Sequence, residues 1–189
     1  QGLSAIEKPR FFGRNVLSLP PKFSMKSTVL TPEAANRTIQ RMAYEIVEQH
    51  YGEVQICLAG IVGNGAELSY ILGREIIEIS DLRVHFMKVT LDKKNPYSHP
   101  IEVSQSLEFH NQMPIVLIDD VANSGSTLFY ALRLWMESEL SSLKTAVLVD
   151  RSHKRFPISP DFIGVSLATT LQEHVEVVIE NHQVEAFLI

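Results

Sequence analysis

The sequence lacks several features that mark whole classes of protein. It has one cysteine in 189 residues, Cys57, so no disulfide can form within the chain, and we expect a reducing compartment such as the cytoplasm. It has no apolar run near the roughly 18 residues of a membrane helix, so we expect no membrane partner. Its seven histidines form no His-Glu-x-x-His pattern and have no paired cysteines beside them, which argues against a structural zinc site. There is no Walker loop, and Leu68 stands where a dinucleotide fingerprint needs its third glycine.

Basic charge is also scarce. Seventeen Lys and Arg residues stand against 22 Asp and Glu residues, for a net charge of -5. This balance argues against a surface devoted to nucleic acid, although it leaves room for a local basic patch. The chain is 45% hydrophobic and 21% charged, which is typical of one globular domain with a single sizeable core.

Residues 1–24 differ in character from the rest. They contain Pro20, Pro21 and scattered basic residues, with neither a helical nor a strand period and without the apolar core of a signal peptide. We interpret them as an N-terminal extension to a main domain over residues 25–189. Two origins stay open: an upstream addition before Met25, or an arm that packs on a partner subunit.

The main domain alternates predicted helices and strands. Thr31-Pro32-Glu33 predicts a helix start that leads to an apolar face and ends near Gly52. Polar residues 92–113 predict a long mobile loop, which is often a functional lid. The other predicted elements are strands over residues 56–62, 84–91, 115–118, 145–149, 162–166 and 175–179, and helices over residues 66–79 and 127–140. This alternation predicts an α/β domain with a mainly parallel sheet.

The stretch from Ile115 to Thr127 carries the most chemical information. A buried strand ends in Asp119 and Asp120, and a loop of small, hydroxyl-bearing residues then opens a helix. Backbone N–H groups and hydroxyls at a helix start bind phosphate, whereas carboxylates repel it unless they hold sugar hydroxyls or a metal. The combination predicts a phosphorylated sugar ligand. The alternative is a Ser- and Gly-rich helix cap whose two acids complement the helix dipole.

This stretch resembles the phosphoribosyl pyrophosphate (PRPP) motif of type I phosphoribosyltransferases. Residues 146–158 and 161–164 are similar to one branch, the pyrimidine operon attenuator/uracil phosphoribosyltransferase family. The likeness covers about residues 28 to 182. It implies a type I phosphoribosyltransferase fold, in which helices flank a five-stranded, mainly parallel core sheet that carries a small hood.

The resemblance also implies an activity. Ribose 5-phosphate would pass from PRPP to a nucleobase, with uracil the first candidate, giving a nucleoside monophosphate and pyrophosphate with Mg²⁺ bound beside PRPP. Asp119 and Asp120 would face the ribose hydroxyls and reach the metal through water or substrate. The likeness assigns the 5′-phosphate to Asn123, Ser124, Gly125, Ser126 and Thr127, and the base to Phe162, Ile163 and Gly164. Core packing is the alternative role for Phe162, and a homodimer or higher homo-oligomer is expected.

Two segments depart from the family pattern. The predicted pyrophosphate loop, Gly63-Asn64-Gly65, lacks the basic side chains of the family's turn, and one lost donor can cost about a hundredfold in rate. In the lid, Lys93 stands where the family has an arginine, and Lys94 adds a second cation. We expect them to compensate, unless they are solvated loop charges. If Asn64 faces the pyrophosphate, an arginine at this position should raise activity.

A basic cluster follows the fourth long strand. Arg151, Lys154 and Arg155 suit contact with substrate phosphate, RNA or a partner subunit, or a solvated turn. Three functions therefore stay open: a phosphoribosyltransferase, a nucleotide-sensing RNA-binding regulator, and a PRPP- or nucleotide-binding protein with reduced or lost catalysis.

Overall fold

The computed structural model describes residues 26–105, 112–168 and 173–189. The predicted N-terminal extension over residues 1–24 lies outside these ranges, as do residues 106–111 of the predicted lid. Among the described residues, no helix is both long enough and apolar enough to cross a membrane.

A six-stranded sheet forms the centre of the molecule, in the order β4-β3-β2-β5-β6-β7. Five neighbouring strands are parallel, and β4 pairs antiparallel with β3 at the edge. The predicted five-stranded parallel core is therefore confirmed. The strands are β2 (Gln55–Ile61), β3 (Arg83–Thr90), β4 (Glu102–Val103), β5 (Ile115–Ala122), β6 (Leu143–Arg151) and β7 (Phe162–Leu167).

Three α-helices lie among the described residues. Helix α1 (Pro32–Gln49) begins as predicted, because the Thr31 side chain accepts a hydrogen bond from the Ala34 N–H at 3.3 Å. It ends at Gln49 with His50 as its cap, two residues before the predicted cap at Gly52. Helix α2 spans Asn64–Ile79, so the predicted tight loop at residues 63–65 is largely its first turn.

Helix α3 is shorter than the predicted helix over residues 127–140. It spans Ser126–Ala131 and tightens into a 3₁₀ helix over Leu132–Trp135. Apolar residues spaced three apart suit either helix type, so the sequence pattern could not separate them. In the observed arrangement Trp135 is buried in the core.

A second sheet of three antiparallel strands joins the two ends of the described chain. Its order is β1 (Ser27–Leu30), β9 (Gln183–Leu188) and β8 (Val175–Glu180), and it forms the predicted hood. The sequence patterns did not predict β1 and β9, nor β4, which lies inside the predicted loop over residues 92–113. The β8–β9 hairpin turns through Asn181 and His182, both at positive φ, so it lacks the glycine that usually marks such a turn.

Two hydrophobic clusters pack on opposite faces of the central sheet. Alternate strand residues such as Leu58 and Val116 join α1, α2 and the hood on one face. Their neighbours Cys57 and Leu117 join α3 and the 3₁₀ helix on the other. The side chains of consecutive residues at the end of β5 therefore point to opposite faces of the sheet.

Candidate active site

The predicted phosphate loop lies at the carboxyl end of β5. It lines a cavity together with Asp119, in the region where open α/β sheets bind ligands. Gly125 has a φ of 81°, and a Cβ built on it would lie 2.5 Å from Ile158 Cγ2. The Ser124 carbonyl accepts hydrogen bonds from the Arg155 N–H at 3.0 Å and the Phe156 N–H at 3.1 Å. The segment after β6 therefore holds this loop in place.

The two carboxylates both lie within β5, which continues to Ala122, beyond the predicted strand over residues 115–118. Asp119 lines the phosphate-loop cavity, and Asp120 contacts Asn64 at the start of α2. The Lys93 Nζ still reaches both acids, at 2.8 Å from Asp119 Oδ1 and 3.5 Å from Asp120 Oδ1. The two carboxylates thus share a cation at the end of the strand.

The environments of Asp119 and Asp120 shift the pKa values of the two carboxyl groups in opposite directions. Burial raises the pKa of Asp119 to about 7, and the charge of Asp120 adds to this effect while Lys93 opposes it. Burial also acts to raise the pKa of Asp120, but hydrogen bonds and the Lys93 charge outweigh it, and the pKa falls below its usual range. Asp120 is therefore the more firmly ionised of the two.

Residues 63–65, the predicted pyrophosphate loop, form the N-cap and the start of α2. Gly63 caps the helix with a φ of 99°. A Cβ on Gly65 would lie 2.8 Å from the Ile118 carbonyl oxygen, so the glycine lets α2 approach the end of β5 closely. Asn64 Nδ2 donates to Asp120 Oδ2 at 3.0 Å and to the Val177 carbonyl of β8 at 2.8 Å.

The lid begins with an ordered turn. Asp92 Oδ1 accepts hydrogen bonds from the backbone N–H groups of Lys94 and Asn95, at 2.8 and 3.2 Å. Lys93 and Lys94 are both exposed, but Lys93 forms ion pairs with the two carboxylates, whereas Lys94 forms none with them. Of the two predicted lid lysines, the structure brings Lys93 into the site.

The basic cluster lies beside the phosphate loop and lines a cavity of about 360 Å³ with Asn123, Ser124 and His153. Arg151 is buried and its Nη1 donates to Asn123 Oδ1 at 2.8 Å. Lys154 Nζ donates to the carbonyls of Ala122 and Arg151, at 2.9 and 2.7 Å, and to the Asp150 carboxylate. Lys154 therefore ties the end of β5 to the end of β6, and Arg155 is the most solvent-exposed of the three predicted cations.

The model of a known protein family matches most of the chain. A model described as a phosphoribosyl transferase domain matches residues 26–183. This chain belongs to the phosphoribosyltransferase family. The resemblance stated from the motifs is thereby confirmed.

Two related sequences are named bifunctional protein PyrR. The phosphoribosyltransferase domain is 31% identical over 169 residues to the bifunctional protein PyrR 1 of Lactiplantibacillus plantarum, covering 84% of this chain and 93% of the relative. It is 32% identical over 168 residues to the bifunctional protein PyrR of Clostridium kluyveri, covering 82% and 91%. The hypoxanthine phosphoribosyltransferase structure of Trypanosoma cruzi matches with a TM-score of 0.68 at 16% identity, covering 85% and 95%. At that identity the structural likeness concerns the fold.

The base pocket predicted for this phosphoribosyltransferase needs correction at Phe162. Its side chain is 1% exposed and lies in the core with His50, so its ring offers no face to a base, and the core-packing alternative holds. The carbonyls of Ile163 and Gly164 accept hydrogen bonds from Arg41 Nη2, at 2.8 and 2.7 Å. Whether these two residues also meet the base stays a prediction.

Three partners of the site escaped the sequence analysis. Asp150 stands four residues before Lys154, a spacing that could have indicated the ion pair. Arg41 lies in a helix far from β7 in sequence, and Val177 acts through its carbonyl. Neither of these last two gives a signal in sequence, because the contact depends on how distant elements pack.

Proposed function

We propose that this protein transfers ribose 5-phosphate from PRPP to a pyrimidine base, uracil first, releasing pyrophosphate. One observation carries the proposal: the phosphate loop and the Asp119–Asp120 pair meet at the carboxyl end of β5, within reach of a lid lysine. This arrangement fits a sugar that bears phosphate on one side and hydroxyls on the other. The sequence resemblance to the uracil phosphoribosyltransferase branch supports uracil.

Each part of the site has a role in this reaction. The loop from Asn123 to Thr127 binds the 5′-phosphate, and the two carboxylates accept hydrogen bonds from the ribose hydroxyls. Bond breaking at C1 gives an oxocarbenium-like transition state as negative charge grows on the pyrophosphate. Lys93 is placed to stabilise that charge, and such preorganised groups act mainly on the transition state.

The donor set also fits Mg²⁺ held partly by substrate. Mg²⁺ prefers oxygen ligands, and it is often bound through one or two carboxylates together with substrate phosphates. Asp119 and Asp120 supply such oxygens, whereas the described residues contain no cluster of three or more metal-ligating side chains. Asp119 and Asp120 would hold the ion through water or substrate, where it would neutralise charge on the leaving group.

A thermal shift and a product assay test the proposal. PRPP or uridine monophosphate with Mg²⁺ should raise the melting temperature, because a ligand that binds the native state stabilises it by mass action. Incubation with PRPP and a panel of bases should give a nucleotide with uracil. A shift with no product from any base would favour the sensor alternative, and no shift at millimolar ligand would refute the sugar-phosphate site.

An RNA-binding regulator is the second candidate. The relatives named above are called bifunctional, and the exposed Arg155 lies on the basic cluster beside the site. Binding should weaken steeply between two salt concentrations and should be reduced by Arg155→Ala, because phosphate contacts release counterions. A lack of specific RNA binding at low salt would remove this candidate.

We also propose a homodimer or higher homo-oligomer, which light scattering would test.

A further inference from the structure

The Asn64 side chain links two layers of the molecule at the active site. Its Nδ2 donates to Asp120 Oδ2 at 3.0 Å and to the Val177 carbonyl of hood strand β8 at 2.8 Å. A carboxylate and a carbonyl can only accept, so both hydrogens of the amide nitrogen are committed. The remaining Oδ1 is an acceptor, which repels an anion such as pyrophosphate.

We propose that Asn64 is a positioning residue, which fixes the Asp120 carboxylate against the hood instead of donating to the pyrophosphate. The proposal rests on the proposed function in one respect, since it assumes that Asp120 contacts the substrate ribose. The hydrogen bonds of Asn64 form a brace between α2, β5 and β8, and this brace can be observed independently of catalysis.

The surroundings of Asp120 explain why a brace is needed. Lys93 Nζ lies 3.5 Å from Oδ1, and Asn64 holds Oδ2, so each carboxylate oxygen has its own partner. Without Asn64, the carboxylate is free to turn toward Lys93. A reacting group misplaced by about 1 Å can lose a hundredfold in rate, even when substrate still binds.

The close approach of α2 to β5 places the brace. Gly65 follows Asn64 directly, and a Cβ at this position would come within 2.8 Å of the Ile118 carbonyl. The glycine lets the first turn of α2 sit against the end of β5, where the short Asn64 side chain spans the gap to Asp120. A longer side chain at position 64 would have to leave this gap.

Variants at position 64 distinguish the brace from a direct contact between Asn64 and pyrophosphate. Asn64→Leu keeps the size and removes the donors, Asn64→Ser restores one donor, and Asn64→Arg adds the charge that the family's turn carries. Asn36→Ala, on the exposed side of α1, is the matched control. PRPP affinity by calorimetry and the single-turnover rate with Mg²⁺ and the accepted base are measured for each full-length variant.

If Asn64 is a brace, its replacement should lower turnover more than it lowers PRPP affinity. Asn64→Leu should lose at least tenfold in turnover while PRPP affinity changes less than about threefold, and Asn64→Ser should recover part of the rate. Asn64→Arg should be as slow as Asn64→Leu, and the control should match wild type. A rate above wild type for Asn64→Arg, or equal losses of affinity and rate in Asn64→Leu, would overturn the proposal.

A spectroscopic measurement tests the brace without catalysis. The ¹H–¹⁵N side-chain signals of Asn64 are assigned by their loss in Asn64→Leu. Both protons should exchange with water at least tenfold more slowly than those of Asn36, because both are hydrogen-bonded. Exchange at the Asn36 rate would overturn the brace. Slow exchange in a wild type that turns over no base would support the brace and refute the proposed function.

Discussion

Gly125 sets the shape of the phosphate loop through its backbone and its lack of a side chain. Its φ of 81° lies in the left-handed region, and Ile158 Cγ2 occupies the place where a Cβ would project. Any side chain at this position therefore meets both backbone strain and a steric overlap. The sequence showed a glycine in a phosphate-binding pattern, and the packing of residues after β6 explains why it must be glycine.

We predict that Gly125→Ala destabilises the protein by about 1–3 kcal/mol, the usual cost of forcing a residue into such a conformation. It should also weaken binding of PRPP or nucleoside monophosphate. Adding Ile158→Ala should relieve the overlap and leave the backbone strain, so a double-mutant cycle of denaturant unfolding separates the two costs. An unchanged unfolding midpoint in Gly125→Ala would contradict the argument.

The lid segment after β3 is the element that delivers charge to the site. In the turn at Asp92, Lys93 forms ion pairs with Asp119 and Asp120, whereas Lys94 forms none with them. Burial acts to lower the pKa of Lys93, but the two carboxylates outweigh it, and the pKa is raised. Lys93 therefore stays charged across the working pH range.

We predict that Lys93→Met lowers turnover by about a hundredfold, the usual size of one lost charge-stabilising group. Ground-state PRPP affinity should change much less, because the charge on pyrophosphate grows as the bond breaks. Lys94→Met should have the smaller effect, since Lys94 forms no ion pair with either carboxylate. Single-turnover rates beside PRPP affinities test this ranking, and equal rates for the two variants would contradict it.

The end of α1 contains a buried titratable group. His50 donates from Nδ1 to the Ile46 carbonyl at 2.7 Å, and its Nε2 has no hydrogen-bond partner among the described residues. Burial lowers the pKa of His50 despite the Ile46 hydrogen bond, and the Lys144 charge adds to the effect. Protonation thus costs more in the folded protein than in the unfolded chain.

We predict that His50 makes stability fall on mild acidification. Below its unfolded pKa of about 6.5, the unfolded chain binds the proton more readily, so the free energy of unfolding decreases until the pH passes the lower folded value. Denaturant titrations between about pH 7 and pH 5 should show a shallower loss for His50→Gln than for wild type. The exposed His174→Gln is the control, and parallel curves for all three proteins would contradict the prediction.

At the scale of the whole molecule, the central sheet encloses the sole cysteine. Cys57 is fully buried in β2, between β3 and β5 in the sheet, and burial raises the pKa of its thiol to about 12. Very little of this thiol is ionised near neutral pH, and the thiolate is the reactive form. Its reaction therefore reports opening of the whole sheet.

We predict that Cys57 resists alkylation in the native protein and reacts fully in denaturant. The labelling rate should follow the fraction of unfolded protein as denaturant rises, because no local opening exposes a central strand. Mass spectrometry of samples quenched at intervals measures this rate directly. Rapid labelling without denaturant would show that β2 opens on its own.

The sequence by itself determined the parallel core sheet, the start of α1 and the family. Apolar runs ended in turn residues, and Thr31-Pro32-Glu33 capped a periodic helix, so local preferences agreed with the final fold. The run of two acids and small hydroxyl residues after a strand carried the family likeness. These features are local, which is why they could be predicted.

Tertiary structure alone decided which side chains meet. The hood arises because strands from the two ends of the described chain pair, and its hairpin turns at Asn181 and His182 without a glycine. Phe162 was predicted at the base and lies in the core, since the packing of α1 on β7 decides its environment. Asn64 reaches Asp120 and Val177 across 56 and 113 residues of sequence, and contacts of that range depend on the arrangement of whole elements.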